Sequence, residues 1–333
     1  MDHNGSLYNK TDDEEEVPLG FDAIVDTLPI ILAILIIITN GVVFVLFGKN
    51  HRLRNITNTF LVSLAISDLL TGMLAIPFNL VCSATHELLC YTTKIFWRFT
   101  GISTVLHLLV VTLDRYAAIV HAIRYRTIVT RTRACIAIIT VWSLAGIAAL
   151  VQLSWPTTEE AEQRKMSEDE MQDIHTTIGV YQSVTIGVFF ALPLFVMIFC
   201  YIRIFYVVRY HEKQIKRQNL PSDLTIRKQS AFDIPAQWKS AIVFIVMTVL
   251  YVIFWFPYFF YEPLQELAES SLPAWVEYVF FYYPRFMTSF TNPIIYIVGK
   301  HDFRKALRPR KNKQNGSYMT SLITRGRSSQ NMN

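Results

Sequence analysis

Charged side chains are scarce in this chain, and those present collect in short segments. Asp, Glu, Lys and Arg make up 17% of the 333 residues, whereas about 25% is usual in globular proteins. Hydrophobic residues make up 52%. Long uncharged stretches of this kind are typical of a protein that crosses a membrane several times. The net charge of +5 is a difference between basic and acidic segments, so it does not indicate a nucleic-acid partner.

Several patterns that would indicate an enzyme or a transporter are missing. The four cysteines show no Cys-x-x-Cys and no metal-ligand spacing. The apolar stretches lack metal-spaced histidines and paired carboxylates, which a membrane enzyme would need. No internal repeat, broken helix pair or continuous line of charged residues is apparent, so a transporter or channel is also disfavoured.

Seven apolar stretches are predicted to be membrane-spanning helices. Each has about 20 residues or more, which is enough to cross ~30 Å of hydrocarbon. Separate spans must be helices, because only a helix satisfies its own backbone polar groups in lipid. The fold class predicted is therefore an all-α bundle of seven transmembrane helices. The predicted spans are 24–48, 57–82, 89–122, 131–154, 177–209, 237–266 and 272–298.

The charges of the connecting loops predict the orientation. Basic residues follow the first, third, fifth and seventh stretches, whereas acidic residues dominate the segment between the fourth and fifth. The positive-inside rule places the basic loops and the C-terminus in the cytosol, and the N-terminus outside the cell. Asn4 and Asn9 head Asn-x-Ser/Thr sequons before the first span, which fits a glycosylated extracellular segment.

Polar residues recur inside the predicted spans. They are Asn40 in the first, Asp68 in the second, Thr104 in the third, and Ser289 and Asn292 in the seventh. A lone polar side chain is costly in lipid, so these residues are expected to meet inside the bundle. They would form either a hydrogen-bond network between helices or a site for Na⁺, a hard cation that prefers oxygen ligands.

A series of short motifs follows the order of the spans. They are Asn40; Leu64-Ala65-Ile66-Ser67-Asp68; Asp114-Arg115-Tyr116; Trp142; Pro193 and Tyr201; Phe254-Trp255-Phe256-Pro257; and Asn292-Pro293-Ile294-Ile295-Tyr296. Each motif alone is weak, but their order and placement make the combination specific. Through them the chain resembles the rhodopsin-like (class A) G-protein-coupled receptors over essentially the whole membrane region.

The resemblance implies a receptor, not an enzyme, that binds an extracellular ligand and promotes nucleotide exchange on a cytosolic heterotrimeric G protein. Arg115 would contact the G protein when released from Asp114, and Trp255 would lie beneath the ligand pocket. Asp68, Thr104 and Ser289 would line a Na⁺ site that favours the inactive state. The residues that the resemblance implies for coupling and switching are Asp114, Arg115, Tyr116, Tyr201, Gln237, Trp255, Pro257, Asn292, Pro293 and Tyr296.

Two departures from the family pattern concern this switch. Gln237 stands where many relatives have a Glu that pairs with the Arg of the Asp-Arg-Tyr motif. A neutral amide cannot form that charge-assisted bond, so raised basal signalling is expected. Thr288 replaces a usual Asn near the Na⁺ site.

The ligand region departs from two known subfamilies. Trp97 stands where aminergic receptors place an Asp, and Phe286 where opsins place a Lys. We expect a small anionic molecule or lipid as the ligand; a peptide, or constitutive activity without any ligand, are the alternatives. Arg285 could instead pair internally with Glu262 or Glu277. The candidate pocket residues are Lys94, Trp97, Arg98, Tyr258, Tyr261, Glu262, Tyr282, Arg285 and Phe286.

The cysteines near the outer end of span three are a further departure. Cys90 matches the family's cysteine at this end, but residues 155–176 contain no cysteine to pair with it. A local Cys82–Cys90 disulfide and two free thiols are the two alternatives.

The composition of the two ends and the resemblance together give the expected domain division and partners. Residues 1–23 are predicted to be a disordered extracellular segment, 24–299 the receptor domain, 300–310 an amphipathic eighth helix and 311–333 a disordered cytoplasmic tail. The tail carries Ser and Thr residues through which arrestin and receptor kinases are expected to act. The plasma membrane is the expected location.

Overall fold

The computed structural model of the protein describes residues 23–82, 87–156, 164–217, 224–267 and 273–307. These residues form a bundle of long helices, α1 to α7, followed by a short helix α8. The helices are α1, Ala23–Lys49; α2, Ile56–Leu70 and Ile76–Cys82; α3, Glu87–Val120; α4, Arg131–Leu150; α5, Glu168–Ile186 and Leu192–Arg217; α6, Leu224–Leu267; α7, Ala274–Glu277 and Pro284–Gly299; and α8, His301–Leu307.

Three of these helices contain a π-helical turn within the described residues. The turns are Thr71–Ala75 in α2, Gly187–Ala191 in α5 and Tyr278–Tyr282 in α7. In α7 the cause is visible in the sequence, because Pro284 has no N–H and cannot continue a regular helix. The N–H of Tyr283 donates instead to the carbonyl of Tyr278, five residues back, at 2.8 Å.

Helix α5 begins earlier than residue 177, where the sequence prediction starts it. Ser167 caps the helix: its hydroxyl accepts from the Glu170 N–H, and the Glu170 carboxylate accepts from the Ser167 N–H. This capping box satisfies donors that would otherwise be unpaired, and the acidic first turn complements the helix dipole. The acidic segment interpreted as a loop is therefore partly helix.

Six helices of the described chain are long and apolar enough to cross a membrane. The regular part of α7 has 16 residues, and the π turn before it extends the same apolar helix. Large apolar side chains also cover the outside of the bundle, including Ile34, Ile139, Ile147, Phe195 and Val298. Helices that are apolar on all faces are expected in lipid.

Helix α3 lies at the centre and contacts α2, α4, α5 and α6, while α7 packs between α1 and α6. The core of the bundle contains Leu64, Leu108, Val111, Met247 and Tyr251. The candidate sites lie at the two opposite ends of the bundle. We name them the Arg115 end and the Trp97 end, after two residues of α3.

Candidate functional site

At the Arg115 end, one buried carboxylate gathers three side chains. Asp114 accepts hydrogen bonds from Thr57 Oγ1 at 2.6 Å, Arg115 Nη2 at 2.6 Å and the Tyr125 hydroxyl at 2.7 Å. Arg115 also donates to Thr57 Oγ1. Burial, and then the Asp114 charge, raise the pKa of Tyr125 to about 12. Arg115 is therefore held by Asp114 of its own helix and by Thr57 of α2, while Tyr125 after α3 holds Asp114 in place.

The other predicted residues of this end lie apart from that carboxylate. Tyr116 packs against a small cluster of Ile204, Val208 and Ala241. Gln237 lies on α6, but its side chain is outside the described residues. Sequence reasoning missed Thr57 and Tyr125, because nothing in their spacing shows that they converge on Asp114.

A second polar cluster joins α2 to the end of α7. Lys300 is only 6% exposed, and its Nζ donates to Asn58 Oδ1 at 2.5 Å. Asn58 Nδ2 donates in turn to Asp302 Oδ2 at 2.8 Å, and Lys300 lies 3.9 Å from that carboxylate. Burial lowers the pKa of Lys300 to about 8, although Asp302 opposes this. The sequence showed Lys300 only as one more basic residue after a span.

Tyr201 and Tyr296 both point into the bundle. The Tyr201 hydroxyl lies 2.7 Å from Thr112 Oγ1 and 3.0 Å from Thr248 Oγ1, so it joins α5 to α3 and α6. Tyr296 is buried against Phe303 of α8, with ring centroids 5.3 Å apart. Within the described residues the Tyr296 hydroxyl has no hydrogen-bond partner.

Of the polar residues predicted to meet inside the bundle, Asn40, Asp68, Ser289 and Asn292 do so. Thr104 instead donates to the Thr100 carbonyl of its own helix and lines a small space together with Ser289. Asn292 Nδ2 donates to Asp68 Oδ2 at 3.3 Å, and Asn40 Nδ2 donates to the Ser289 carbonyl at 3.1 Å. Four buried oxygens nearby have no partner in the described part of the chain: Asn40 Oδ1, Ser67 Oγ, Asp68 Oδ1 and Asn292 Oδ1. The cluster is thus a hydrogen-bond network with spare acceptors.

A further network, unexpected from the sequence, surrounds His107. Trp142 Nε1 donates to Ser63 Oγ at 3.0 Å, and Ser63 Oγ lies 2.8 Å from His107 Nε2. His107 Nδ1 lies 2.8 Å from the Ser103 carbonyl. A carbonyl only accepts, so Nδ1 carries the proton and Nε2 accepts from Ser63. This chain of bonds joins α2, α3 and α4.

Trp255 forms the floor of a cavity that opens toward the Trp97 end. Its Nε1 donates to Thr288 Oγ1 at 3.0 Å, and its ring stacks on Tyr251 at 5.7 Å. The indole lies directly against Gly101 of α3, where any Cβ would collide with it. Pro257 lies in α6 two residues after Trp255.

The cavity itself encloses ≈ 530 Å³, counted to include its open mouth. Its walls come from α3, α5, α6 and α7 and are mainly aromatic and aliphatic. Two arginines, Arg98 and Arg285, are among its described lining residues, and no Asp or Glu is among them. The described lining residues are Trp97, Arg98, Gly101, Ile102, Gln182, Thr185, Ile186, Phe189, Tyr251, Trp255, Tyr258, Phe259 and Arg285.

The predicted pocket residues divide into three groups. Trp97, Arg98, Tyr258 and Arg285 line the cavity, and Tyr282 and Phe286 surround Arg285. Lys94 is exposed, and the Tyr261 hydroxyl donates to Glu277 Oε1, so these two residues are not part of the described lining. The Glu262 side chain lies outside the described residues. The sequence did not identify the α5 residues Gln182, Thr185 and Phe189.

Arg98 and Arg285 both lie over aromatic rings. The Arg98 guanidinium carbon is 4.6 Å from the Tyr181 ring centroid. The guanidinium carbon of Arg285, which is 2% exposed, lies within 5.2 Å of four ring centroids. Arg285 also borders a second space of ≈ 230 Å³, whose other lining residues include Thr71, Thr100, Thr104 and Ser289.

The bonding state of three of the four cysteines is given by the structure. Cys82 is disulfide-bonded, whereas Cys135 and Cys200 are free. The Cys90 side chain lies outside the described residues, so the Cys82–Cys90 pairing stays a prediction. Among the residues described, no group of three or more His, Cys, Asp or Glu side chains is placed to hold a metal ion.

Comparisons with known proteins agree with this geometry. Residues 39–296 match the model of the 7 transmembrane receptor (rhodopsin family). The chain is 31% identical to the histamine H2 receptor of Homo sapiens over an alignment of 302 residues, and the match covers 84% of this chain and 77% of that one. It is 28% identical to the adenosine receptor A2a of Homo sapiens over 308 residues, 88% of this chain and 73% of the relative.

These matches confirm the sequence predictions of an all-α bundle of seven transmembrane helices, of receptor function and of a protein that is not an enzyme. Multiple membrane crossings and coupling to a G protein follow from the same membership. The chain belongs to the rhodopsin family of seven-transmembrane receptors.

Proposed function

We propose that this receptor responds to a small anionic molecule or lipid that binds in the cavity above Trp255. The observation that carries the proposal is the charge of the cavity: its described lining includes Arg98 and Arg285 and no carboxylate. A ligand carboxylate or phosphate would gain charge-assisted hydrogen bonds there, worth about 1.5–3 kcal/mol each. A cationic ligand would meet two positive charges instead.

The remaining lining residues of the cavity indicate that the non-ionic part of the ligand is apolar. Ile102, Ile186, Phe189, Trp255 and Phe259 offer aliphatic and aromatic surface. Ligand pockets normally fix a ligand by a few polar groups within an apolar wall. An aromatic acid, or the head of a lipid with an acidic group, therefore suits the site.

The relatives suggest a different ligand, and the residues argue against it. By its name, the histamine H2 receptor binds histamine, a cationic amine. In this chain Trp97 occupies the position where the aminergic pattern has an Asp, and Arg285 brings a positive charge close to it, 3.6 Å from the Trp97 ring. An amine would therefore lack its counter-ion and be repelled.

The orientation of the receptor is part of the proposal. Basic residues are concentrated in the loops and adjoining helix ends of the Arg115 end, which supports a cytosolic location for that end: Lys49, Arg52, Arg54, Arg124, Arg126, Arg131 and Arg133. The first turn of α5, at the opposite end, is acidic. The N-terminus would then be extracellular, the protein would lie in the plasma membrane, and the G protein would bind at Arg115. Arrestin and receptor kinases would act on the Ser/Thr tail.

A sodium ion fits the cluster around Asp68. Asp68 Oδ1 and Ser67 Oγ are buried acceptors without a partner among the described residues. Thr104 donates its proton to the Thr100 carbonyl at 2.9 Å, which leaves its oxygen lone pairs available. Asp68, Thr104 and Ser289 would hold the ion, and Thr288 would not, since its hydroxyl is engaged by Trp255. When bound, Na⁺ would supply a positive charge that favours the inactive state.

The proposal is tested by ligand-dependent G-protein activation. Cells expressing the receptor with a set of chimeric G proteins are exposed to aromatic carboxylates, fatty acids and aryl phosphates. For an active acid, Arg98→Gln and Arg285→Gln should each raise the half-maximal concentration about 10- to 150-fold. Lys94→Gln is the matched control, because Lys94 is exposed and not in the described lining. Activation by amines and not by acids would refute the proposal.

A further inference from the structure

The rings around Arg285 form a site of their own. We propose that Trp97, Tyr258, Tyr282 and Phe286, here called the aromatic cage, are a cation-binding site whose occupant is the receptor's own Arg285 guanidinium. The class of ligand that this site takes is therefore a guanidinium or a primary ammonium. This inference does not depend on the acidic ligand proposed above.

The distances fit a cage and not a single chance contact. The guanidinium carbon lies 3.6 Å from the Trp97 ring centroid, 4.6 Å from Tyr258, and 5.2 Å from both Tyr282 and Phe286. A cation within about 6 Å of a ring centroid is attracted by the negative face of the ring, most strongly by Trp. All four rings are inside that limit, and Arg285 is 2% exposed, so water weakens the attraction little.

The rings also support one another. Trp97 lies 6.0 Å from Tyr282 and 6.2 Å from Phe286, and Tyr258 lies 6.0 Å from Tyr282. Separations of 4.5–7 Å are those that aromatic pairs prefer. The cage is thus a packed unit that brings together α3, α6 and α7.

The backbone of α7 places the Arg285 guanidinium inside the aromatic cage. A π turn lies directly before Pro284, and Tyr283 N–H reaches back to the Tyr278 carbonyl. Arg285 follows at once and is buried among the rings. Its planar head is weakly hydrated compared with an ammonium, which makes its burial among rings less costly than that of Lys.

Two contacts connect the cage to Trp255. The Tyr258 ring meets the Trp255 ring edge to face at 5.9 Å. Trp255 Nε1 donates to Thr288, and the Thr288 hydroxyl donates to the Arg285 carbonyl. The Thr288 bond ends on the Arg285 backbone, so it fixes Trp255 to α7 whether or not the guanidinium is present. The Tyr258 contact is the one that ties the position of Trp255 to the filled cage, and through it removal of the guanidinium should change the basal activity of the receptor.

Truncation followed by chemical rescue tests the inference. Arg285→Ala removes the atoms of an ethylguanidinium ion, so this ion is added back to purified receptor without any other ligand. Its neutral isostere, ethylurea, is the control compound. At about five times its Kd, ethylguanidinium should raise the melting temperature of the variant by on the order of 1–2 °C and leave the wild type unchanged. It should also return basal G-protein activation toward the wild-type level, whereas ethylurea should do neither.

Further variants separate the cage from general damage. Trp97→Ala in the Arg285→Ala background should abolish the rescue, and Lys94→Ala should preserve it. If Arg285→Ala cannot be purified, Arg285→Lys and Arg285→Met are compared instead. The inference expects Lys to keep the wild-type melting temperature and basal activity more closely than Met. Equal rescue by ethylurea, no rescue, or a Met variant equal to Lys would overturn it. If none of the acidic compounds activates the receptor but the rescue succeeds, the proposed ligand class is wrong and the cage inference is unaffected.

Discussion

The Tyr125 hydroxyl donates a 2.7 Å hydrogen bond to Asp114 Oδ1, so the loop after α3 closes onto the carboxylate that holds Arg115. This contact gives the loop a direct effect on the switch. A restraint on Asp114 keeps the carboxylate where Arg115 and Thr57 can both reach it. Freeing Asp114 should therefore favour the release of Arg115.

Tyr125→Phe tests this effect with the smallest change. It removes one hydrogen bond to a charged acceptor and keeps the ring, so ligand-free G-protein activation should rise on the order of 5-fold. The measurement is nucleotide exchange at matched surface expression. Tyr206→Phe is the matched control, because Tyr206 is 65% exposed. Unchanged basal exchange in Tyr125→Phe would show that the loop contact does not restrain Arg115.

Gln237→Glu tests the second restraint on Arg115. A carboxylate at this position on α6 could form the charge-assisted bond that the amide cannot, and basal exchange should fall on the order of 10-fold. Gln214→Glu adds the same charge on α5, where Gln214 is exposed, and should have little effect. Equal basal activity of wild type and Gln237→Glu would count against raised basal signalling.

The sodium proposal predicts a specific ion effect. Replacing KCl by NaCl at constant ionic strength should lower basal exchange on the order of 5-fold in the wild type. Asp68→Asn should abolish the difference and Ser289→Ala should weaken it. Thr291→Ala is the control, because the Thr291 hydroxyl donates only within its own helix. A difference between the two salts that survives in Asp68→Asn would exclude Asp68 as the ion's ligand.

The buried Lys300 predicts a pH dependence of stability. Its pKa is about 8 in the fold, against 10.5 for the free side chain. Between these values the unfolded chain binds a proton that the folded chain has released, so the Lys300 contribution to stability rises with pH. Below pH 8 both states are protonated, and the folded receptor carries the full penalty of a buried charge.

This pH dependence is checked by measuring the melting temperature of detergent-solubilised receptor from pH 7.5 to pH 10.5, roughly the window set by the two pKa values. The wild type should gain stability relative to Lys300→Met as pH rises. Lys305→Met, which removes an exposed lysine of α8, should stay parallel to the wild type. Parallel curves for Lys300→Met as well would mean that Lys300 does not titrate in this window.

The positions of the helices, and the inward orientation of the polar residues within them, could be predicted from the sequence because both depend on local composition. A run of apolar residues specifies a span, and Asp68, Ser289 and Asn292 had few alternatives to meeting inside the bundle. The predicted start of α5 was too late in the sequence. The polar segment before residue 177 is helical because a capping box at Ser167 stabilises its first turn.

The contacts between distant side chains could not be predicted. Lys300 and Asn58 are 242 residues apart, and no periodicity marks either one. The same holds for Ser63 and His107. For Arg285 the sequence left ligand binding and pairing with Glu262 or Glu277 open, and it gave no sign that four rings would enclose the guanidinium.

The cavity between Arg98 and Trp255 is expected to select an acid. The most direct measurement compares compounds with one ring system and opposite charge on the wild-type receptor: indole-3-acetate with tryptamine, and phenylacetate with phenethylamine. Receptor-dependent G-protein activation is recorded for each pair, with Arg115→Ala as the signalling-deficient control. The account predicts that the acid of a pair activates and the amine does not. Activation by the amine with a silent acid would contradict it.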